Sequence, residues 1–129
     1  PFFGWRLALF SPIAIDRTGG REALKQIEEQ GRARLAQGFW PLVFPEGTRV
    51  AHGETGNYQI GGAWLASKAG VAVLPVAHNA GRCWPKNAFI KYPGEITVVI
   101  GPPIATAGRK ATAVLADTQA WIEDAMRTL

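Results

Sequence analysis

The chain has 129 residues, of which 47% are hydrophobic, the size of one ordinary domain with enough apolar material for a packed core. That composition excludes wholesale disorder, and a single cysteine, Cys83, excludes an internal disulfide framework and any Cys–Cys metal site. A net charge of +4 points to anionic partners such as phosphates, acidic lipid headgroups or nucleic acid, and there is no run of about 18 apolar residues to span a bilayer.

Residues 1–15 are strongly apolar, with Phe2, Phe3, Trp5, Leu7, Leu9, Phe10, Ile13 and Ile15 interrupted by one charge, Arg6. A buried element is one reading. The other is an interfacial segment, because Trp and Phe beside a cation suit the headgroup boundary. Asp16-Arg17-Thr18-Gly19-Gly20 reads as a loop, and the period then becomes helical from Arg21 to Gln37. Leu24, Ile27, Gly31 and Leu35 fall on one stripe there, and Gly38 is a stop signal.

The apolar run Phe39–Phe44 reads as a buried strand, followed by a turn at Pro45 and a Gly-rich polar loop over Val50–Asn57. A second helix is expected over Tyr58–Ala69, ahead of Gly70. Val71–Leu74 reads as a strand that Pro75 either ends or bulges. Ile96–Ile100 is a further strand, stopped by Gly101-Pro102-Pro103. Arg109–Leu129 places Val114, Leu115, Thr118, Trp121, Ile122, Ala125 and Met126 on one apolar helical face. Helices alternating with short strands predict one α/β domain, a mixed, mostly parallel sheet flanked by helices, over residues 1–129.

Three clusters then stand at the ends of expected strands: Ile15-Asp16-Arg17, Pro45-Glu46-Gly47-Thr48-Arg49 and Leu74-Pro75-Val76-Ala77-His78-Asn79. Strand ends can converge on one crevice in such a sheet. Two arginines there would suit a phosphate monoester, since each planar guanidinium pairs with two oxygens at once. Gly47 would let backbone approach the ligand and offer it an N–H.

Plainer readings stand beside these: a solvated Asp16–Arg17 pair, a Pro45-initiated turn with Gly47 in its fourth position, and Pro75 as a bulge device. His78 reads as a loop histidine, and Cys83 beside Trp84 as a small buried hydrophobe. No phosphate-loop or nucleophile-elbow motif is present, and His52 and His78 lack the spacing of metal ligands. No nucleic-acid-binding module is recognisable, so no nucleic acid is expected as a partner.

In this order, Ile15-Asp16-Arg17, Phe44-Pro45-Glu46-Gly47-Thr48-Arg49 and Leu74-Pro75-Val76 resemble three of the four motif blocks of the glycerolipid acyltransferase family, the lysophosphatidic acid acyltransferases in particular. The resemblance extends from Pro1 to about Ile104, including the Phe-Phe-Gly-Trp entry and the Gly-Pro-Pro-Ile strand end. It implies transfer of a fatty acyl group from acyl-CoA, or acyl carrier protein, to a free hydroxyl of a glycerol phosphate.

By the same resemblance Arg17 and Arg49 would bind the acceptor phosphate, Glu46, Gly47 and Thr48 would shape that pocket, and Pro75 would lie toward the acyl donor. No cofactor beyond the co-substrate and no metal is implied. The implied partners are acyl-CoA, lysophosphatidic acid and a membrane surface, with the protein at the cytoplasmic face of a membrane.

The family's fourth block, His-x-x-x-x-Asp, supplies the general base and its orienting carboxylate. It is absent here, since the fifth residue after His52 is Asn57 and that after His78 is Cys83. Together with a first residue, Pro1, that is not methionine, this predicts an N-terminally incomplete acyltransferase domain, inactive by itself. The alternatives are a naturally truncated, non-catalytic binder of phosphate-bearing lipids, or an acyltransferase acting on another lysophospholipid or on glycerol 3-phosphate.

Overall fold

The computed structural model describes residue 13, residues 20–51 and residues 53–129. The apolar entry apart from Ile13, the Ile15-Asp16-Arg17 block and His52 lie outside the described residues. The chain divides into two compact units, Pro1–Val43 and Phe44–Leu129.

In the first unit, helix α1 spans Arg21–Ala36, one residue short of the expected range. Ala23 and Gly31 are buried, and Leu24, Ile27 and Leu35 are half-buried, so the stripe read from the sequence is the face the helix turns inward. Glu22 in the first turn and Arg34 in the last complement the helix dipole. Glu28 and Arg32, one turn apart, form an ion pair at 3.3 Å. The chain then wraps the helix end, Gly38 N–H donating to the Leu35 carbonyl at 2.9 Å and Phe39 N–H to that of Arg34 at 3.0 Å.

The expected strand over Phe39–Phe44 does not form: the segment has no ladder partner among the described residues and its large side chains are exposed, Trp40 at 86%. Apolar composition supplied the propensity, but a strand exists only through its neighbour, and Pro41 has no N–H to offer one.

The second unit contains helix α2 (Gly61–Ala69), strand β1 (Val76–His78), a single turn of helix α3 (Ala80–Cys83), strand β2 (Val98–Ile100) and helix α4 (Ala111–Met126). Helix α2 packs on α4, and α4 also lies against β1. Leu65, Ala63 and Ala66 from α2, Pro75 just before β1, Ala77 from β1 and Val114 from α4 are buried apolar residues there. The small residues of α2 let the two helices approach closely. Thr106 is buried with its hydroxyl 2.7 Å from the Val71 carbonyl and 3.1 Å from that of Ala66, joining the segment before α4 to the end of α2.

Helix and strand do alternate, so the chain has α/β content. The sheet among the described residues, however, is one antiparallel pair and not a parallel array, with Val76 opposite Ile100, Ala77 opposite Val99 and His78 opposite Val98. An isolated antiparallel bridge joins Val73 to Ile104. Two residues, Leu74 and Pro75, therefore face three, Gly101, Pro102 and Pro103, which is a bulge. The strand follows Pro75, whereas the sequence placed it before; proline cannot donate to a ladder, so the pairing restarts one residue on. Leu74, Val76, Val98 and Ile100 remain exposed on this pair. No helix among the described residues is long and apolar enough to cross a membrane.

Candidate functional site

The segment Phe44–Arg49 starts as the turn its residues specify. Gly47 N–H donates to the Phe44 carbonyl at 3.0 Å, which puts Pro45 second and Gly47 fourth. Gly47 holds φ at 66°, a left-handed conformation that a β-carbon would strain. The turn is tied down twice. Gln59 N–H donates to the Pro45 carbonyl at 2.7 Å, and Gly56 N–H donates to Glu46 Oε1 at 3.3 Å. Glu46 is thus half-buried and folds the Val50–Asn57 loop against the turn. Thr48 and Arg49, by contrast, are exposed.

That loop is in turn fixed to α4. Glu123 accepts one hydrogen bond from Thr55 Oγ1 at 2.7 Å and another from the Tyr58 hydroxyl at 2.9 Å, one on each carboxylate oxygen. Burial pushes the Tyr58 phenol well above its ordinary range, assisted by the hydrogen bond to Glu123 and by the charges of Glu123 and Glu46. The folded state therefore disfavours tyrosinate. Its contribution to stability is complete below the unfolded value of about 10 and is lost as pH rises beyond it. Urea unfolding followed from neutral pH to above pH 10 is expected to show an alkaline loss that Tyr58→Phe diminishes, and equal slopes for the two proteins would remove Tyr58 from that role.

Arg49 projects from the pinned turn onto Trp84. Its guanidinium carbon lies 4.9 Å from the ring centroid, and Nη2 reaches the Trp84 carbonyl only at 3.4 Å. Lys91 Nζ lies 4.3 Å from the same ring. The two distances bound the separation of the charges at about 9 Å, comparable with a Debye length of ~10 Å at 0.1 M salt. None of the ion pairs among the described residues, Glu28–Arg32, Asp117–Arg109 and Asp124–Arg127, involves either cation. Two like charges sharing one indole are attracted by the ring and repelled by each other, and an anion between them would relieve that repulsion.

The sequence-predicted residues are thus distributed unequally. Glu46, Gly47, Thr48 and Arg49 are together on one tethered turn. Arg17 lies outside the described residues. Pro75 is fully buried, its carbonyl accepting Gly101 N–H at 2.9 Å, so it presents no surface of its own. His78 is exposed, and its Nδ1 accepts the Ala80 N–H at 3.3 Å. Cys83 is half-buried, with its carbonyl bonded to Tyr92 N–H.

Trp84 and Lys91 were missed in the sequence. The only signal was an aromatic flanked by unbalanced cations, 35 residues from Arg49. A separate cavity of about 520 Å³ lies between α2 and the start of α4, lined by Ile60, Trp64, Lys68, Arg109 and Lys110 among others, and by none of the motif residues. Among the described residues no group of histidine, cysteine and carboxylate side chains could hold a metal.

A family model described as Acyltransferase matches residues 1–79. A curated 1-acyl-sn-glycerol-3-phosphate acyltransferase of Pseudomonas aeruginosa is 50% identical over 129 residues, covering 98% of this chain and 50% of that protein. One from Cocos nucifera is 31% identical over 107 residues, covering 82% and 35% respectively. The crystal structure of the 1-acyl-sn-glycerophosphate (LPA) acyltransferase PlsC from Thermotoga maritima matches with a TM-score of 0.61 at 27% identity, over 80% of this chain and 44% of that one. The chain spans half or less of the length of each of these relatives.

Proposed function

The chain belongs to the acyltransferase family, and on that premise we propose that it serves the transfer of a fatty acyl group to the free hydroxyl of 1-acyl-glycerol 3-phosphate, giving phosphatidic acid for phospholipid synthesis. The donor is acyl-CoA or acyl carrier protein, and the work is done at a membrane surface, on its cytoplasmic face. The names of the relatives support the acceptor. The observation that carries the reading is Arg49, an exposed guanidinium with donors to spare, on a turn tethered through Pro45 and Glu46.

A guanidinium fork can hold two phosphate oxygens of the acceptor. Arg17 would complete the grip, with Glu46, Gly47 and Thr48 shaping the rim. A phosphate so held leaves the glycerol hydroxyl with few positions to occupy, which is what attack on a thioester carbonyl requires. The hydroxyl oxygen bonds to the carbonyl carbon, the carbon–sulfur bond breaks, and the proton from the hydroxyl ends on the departing thiolate. A base must carry that proton, and the 129 residues contain no His-x-x-x-x-Asp sequence to supply it. On this reading the 129 residues serve to hold the acceptor and do not themselves supply that base.

Pro75, being buried, would act on the donor side only by fixing the strand pair. The exposed Phe39–Phe44 segment and the exposed face of β1 and β2 each offer apolar surface to further strands. A mixed, mostly parallel sheet would be completed in that way.

The test is release of free CoA thiol from acyl-CoA. The intact protein is expected to release it in the presence of lysophosphatidate, and the 129-residue chain alone to release none. Release by the 129 residues would refute the missing base. Release only with glycerol 3-phosphate, or with a lysophospholipid bearing a larger headgroup, would replace the acceptor. Tight lysophosphatidate binding without release by the intact protein would leave a non-catalytic binder.

A further inference from the structure

From Asn79 to Gly94 the chain carries three cations, Arg82, Lys86 and Lys91, and no carboxylate. Within that stretch Phe89 is 100% exposed and Ile90 63%. The segment is built, with its base closed by Tyr92 N–H donating to the Cys83 carbonyl at 2.7 Å and by Trp84 Nε1 donating to the Ala88 carbonyl at 3.3 Å. Asn87 takes a left-handed φ of 58° just before the exposed pair. Two adjacent large apolar side chains thus project from a fixed loop, with Lys86 before them and Lys91 after.

We propose that this loop, residues 84–92, is the face that seats the protein on an anionic lipid surface, Phe89 and Ile90 entering the acyl layer and the lysines meeting the headgroups. Charge alone would equally suit an acidic protein. A projecting apolar tip between cations suits a fluid apolar layer beneath a negative one, and it matches the composition of interfacial anchors.

The inference rests on the acyltransferase reading in one respect: it places that site at the depth where its acceptor resides. Lys91 at the base of the loop and Arg49 on the tethered turn lie over the same Trp84 ring. Seating the loop therefore brings the Arg49 guanidinium to headgroup level, where a lysophosphatidate embedded by its acyl chain presents its phosphate.

The experiment follows the loop itself, so other attachments of the protein do not obscure it. Phe89→Cys in the intact protein, with Cys83→Ser and other accessible thiols removed, is labelled with a polarity-sensitive fluorophore. It is then mixed with vesicles of phosphatidylcholine alone or with phosphatidylglycerol. Blue-shifted, severalfold brighter emission on the phosphatidylglycerol vesicles, quenched by nitroxide-bearing lipids, is expected. The same label at Ala116→Cys on α4 should not respond.

Lys86→Gln should weaken the vesicle titration about fivefold on the anionic vesicles only. No response at position 89 on either vesicle would overturn the proposal. So would a response produced by acidic carrier protein in the absence of lipid. Phe89→Ser should slow turnover of vesicle-borne acceptor while sparing a water-soluble, short-chain lysophosphatidate. Insertion of the label without acyl transfer to either acceptor would sink the acyltransferase reading and leave the docking face standing.

Discussion

Arg49→Ala in the intact protein is expected to raise the KM for lysophosphatidate about tenfold to a hundredfold, with a smaller change in kcat. A hydrogen bond to a charged group contributes roughly 1.5–3 kcal/mol, and each ~1.4 kcal/mol is tenfold in affinity. The effect falls on KM because phosphate binding is common to ground and transition states, although loss of orientation would also lower kcat. Arg49→Lys should recover charge but not the two-pronged grip, and so should rescue only part of the loss. An acceptor without phosphate, such as a monoacylglycerol, provides the control: its poor turnover should not depend on Arg49. Unchanged lysophosphatidate kinetics for Arg49→Ala would remove this residue from the acceptor site. An equal loss with the phosphate-free acceptor would make Arg49 a support for Trp84 and no longer a ligand group.

The hexapeptide was legible because its geometry is local. Proline second and glycine fourth define a turn whatever surrounds them, and the structure closes it with the expected bond from Gly47 to Phe44. The helices were legible for a related reason: a period of three to four residues is written in the segment itself. The three longest helices among the described residues, Arg21–Ala36, Gly61–Ala69 and Ala111–Met126, fall within a few residues of their expected ranges.

Strands fared differently. Phe39–Phe44 and Val71–Leu74 had the right composition, yet among the described residues neither forms a ladder beyond the single bridge at Val73. Pairing is decided by residues far away in sequence, such as Val98–Ile100 opposite Val76–His78. The same non-locality hid part of the site. Nothing in the sequence near Arg49 names Trp84 as its platform, and nothing near Glu46 announces that its carboxylate will hold Gly56 N–H. Glu46, Gly47 and Arg49 were singled out from their motif, but the physical reason each sits where it does came only with the loop folded back on the turn.

Gly101→Ala is expected to be the most destabilising of the conservative changes in the second unit, at about 3 kcal/mol. A β-carbon at this position would come 2.5 Å from Trp121 Cζ2 and 2.9 Å from Pro75 Cγ, besides pressing on Trp121 Cε2. Extra methyl groups in packed interiors cost roughly 1–3 kcal/mol, and the upper end applies where the neighbours cannot give. Both neighbours here are rigid rings. Pro75 is fully buried, and Gly101 N–H is bonded to its carbonyl at 2.9 Å, so the glycine cannot retreat without opening the bulge.

Urea unfolding of the intact protein would show the loss as a lower midpoint at an unchanged slope. Shortening the obstructing ring offers a second reading. Trp121→Leu costs stability alone, but combined with Gly101→Ala it should cost at least ~1 kcal/mol less than the two separate losses predict. A midpoint within ~0.5 kcal/mol of the parent for Gly101→Ala, the scatter of ordinary surface changes, would mean that Trp121 swings aside freely and that the bulge is not clamped. A clamped bulge connects stability to chemistry, because Pro75 belongs to the motif and touches no solvent. If Pro75 serves the acyl donor as proposed, its effect passes through the strand that Gly101 and Trp121 hold in place. Gly101→Ala should therefore depress acyl transfer at temperatures where the protein is still folded, and Trp121→Leu should restore part of it.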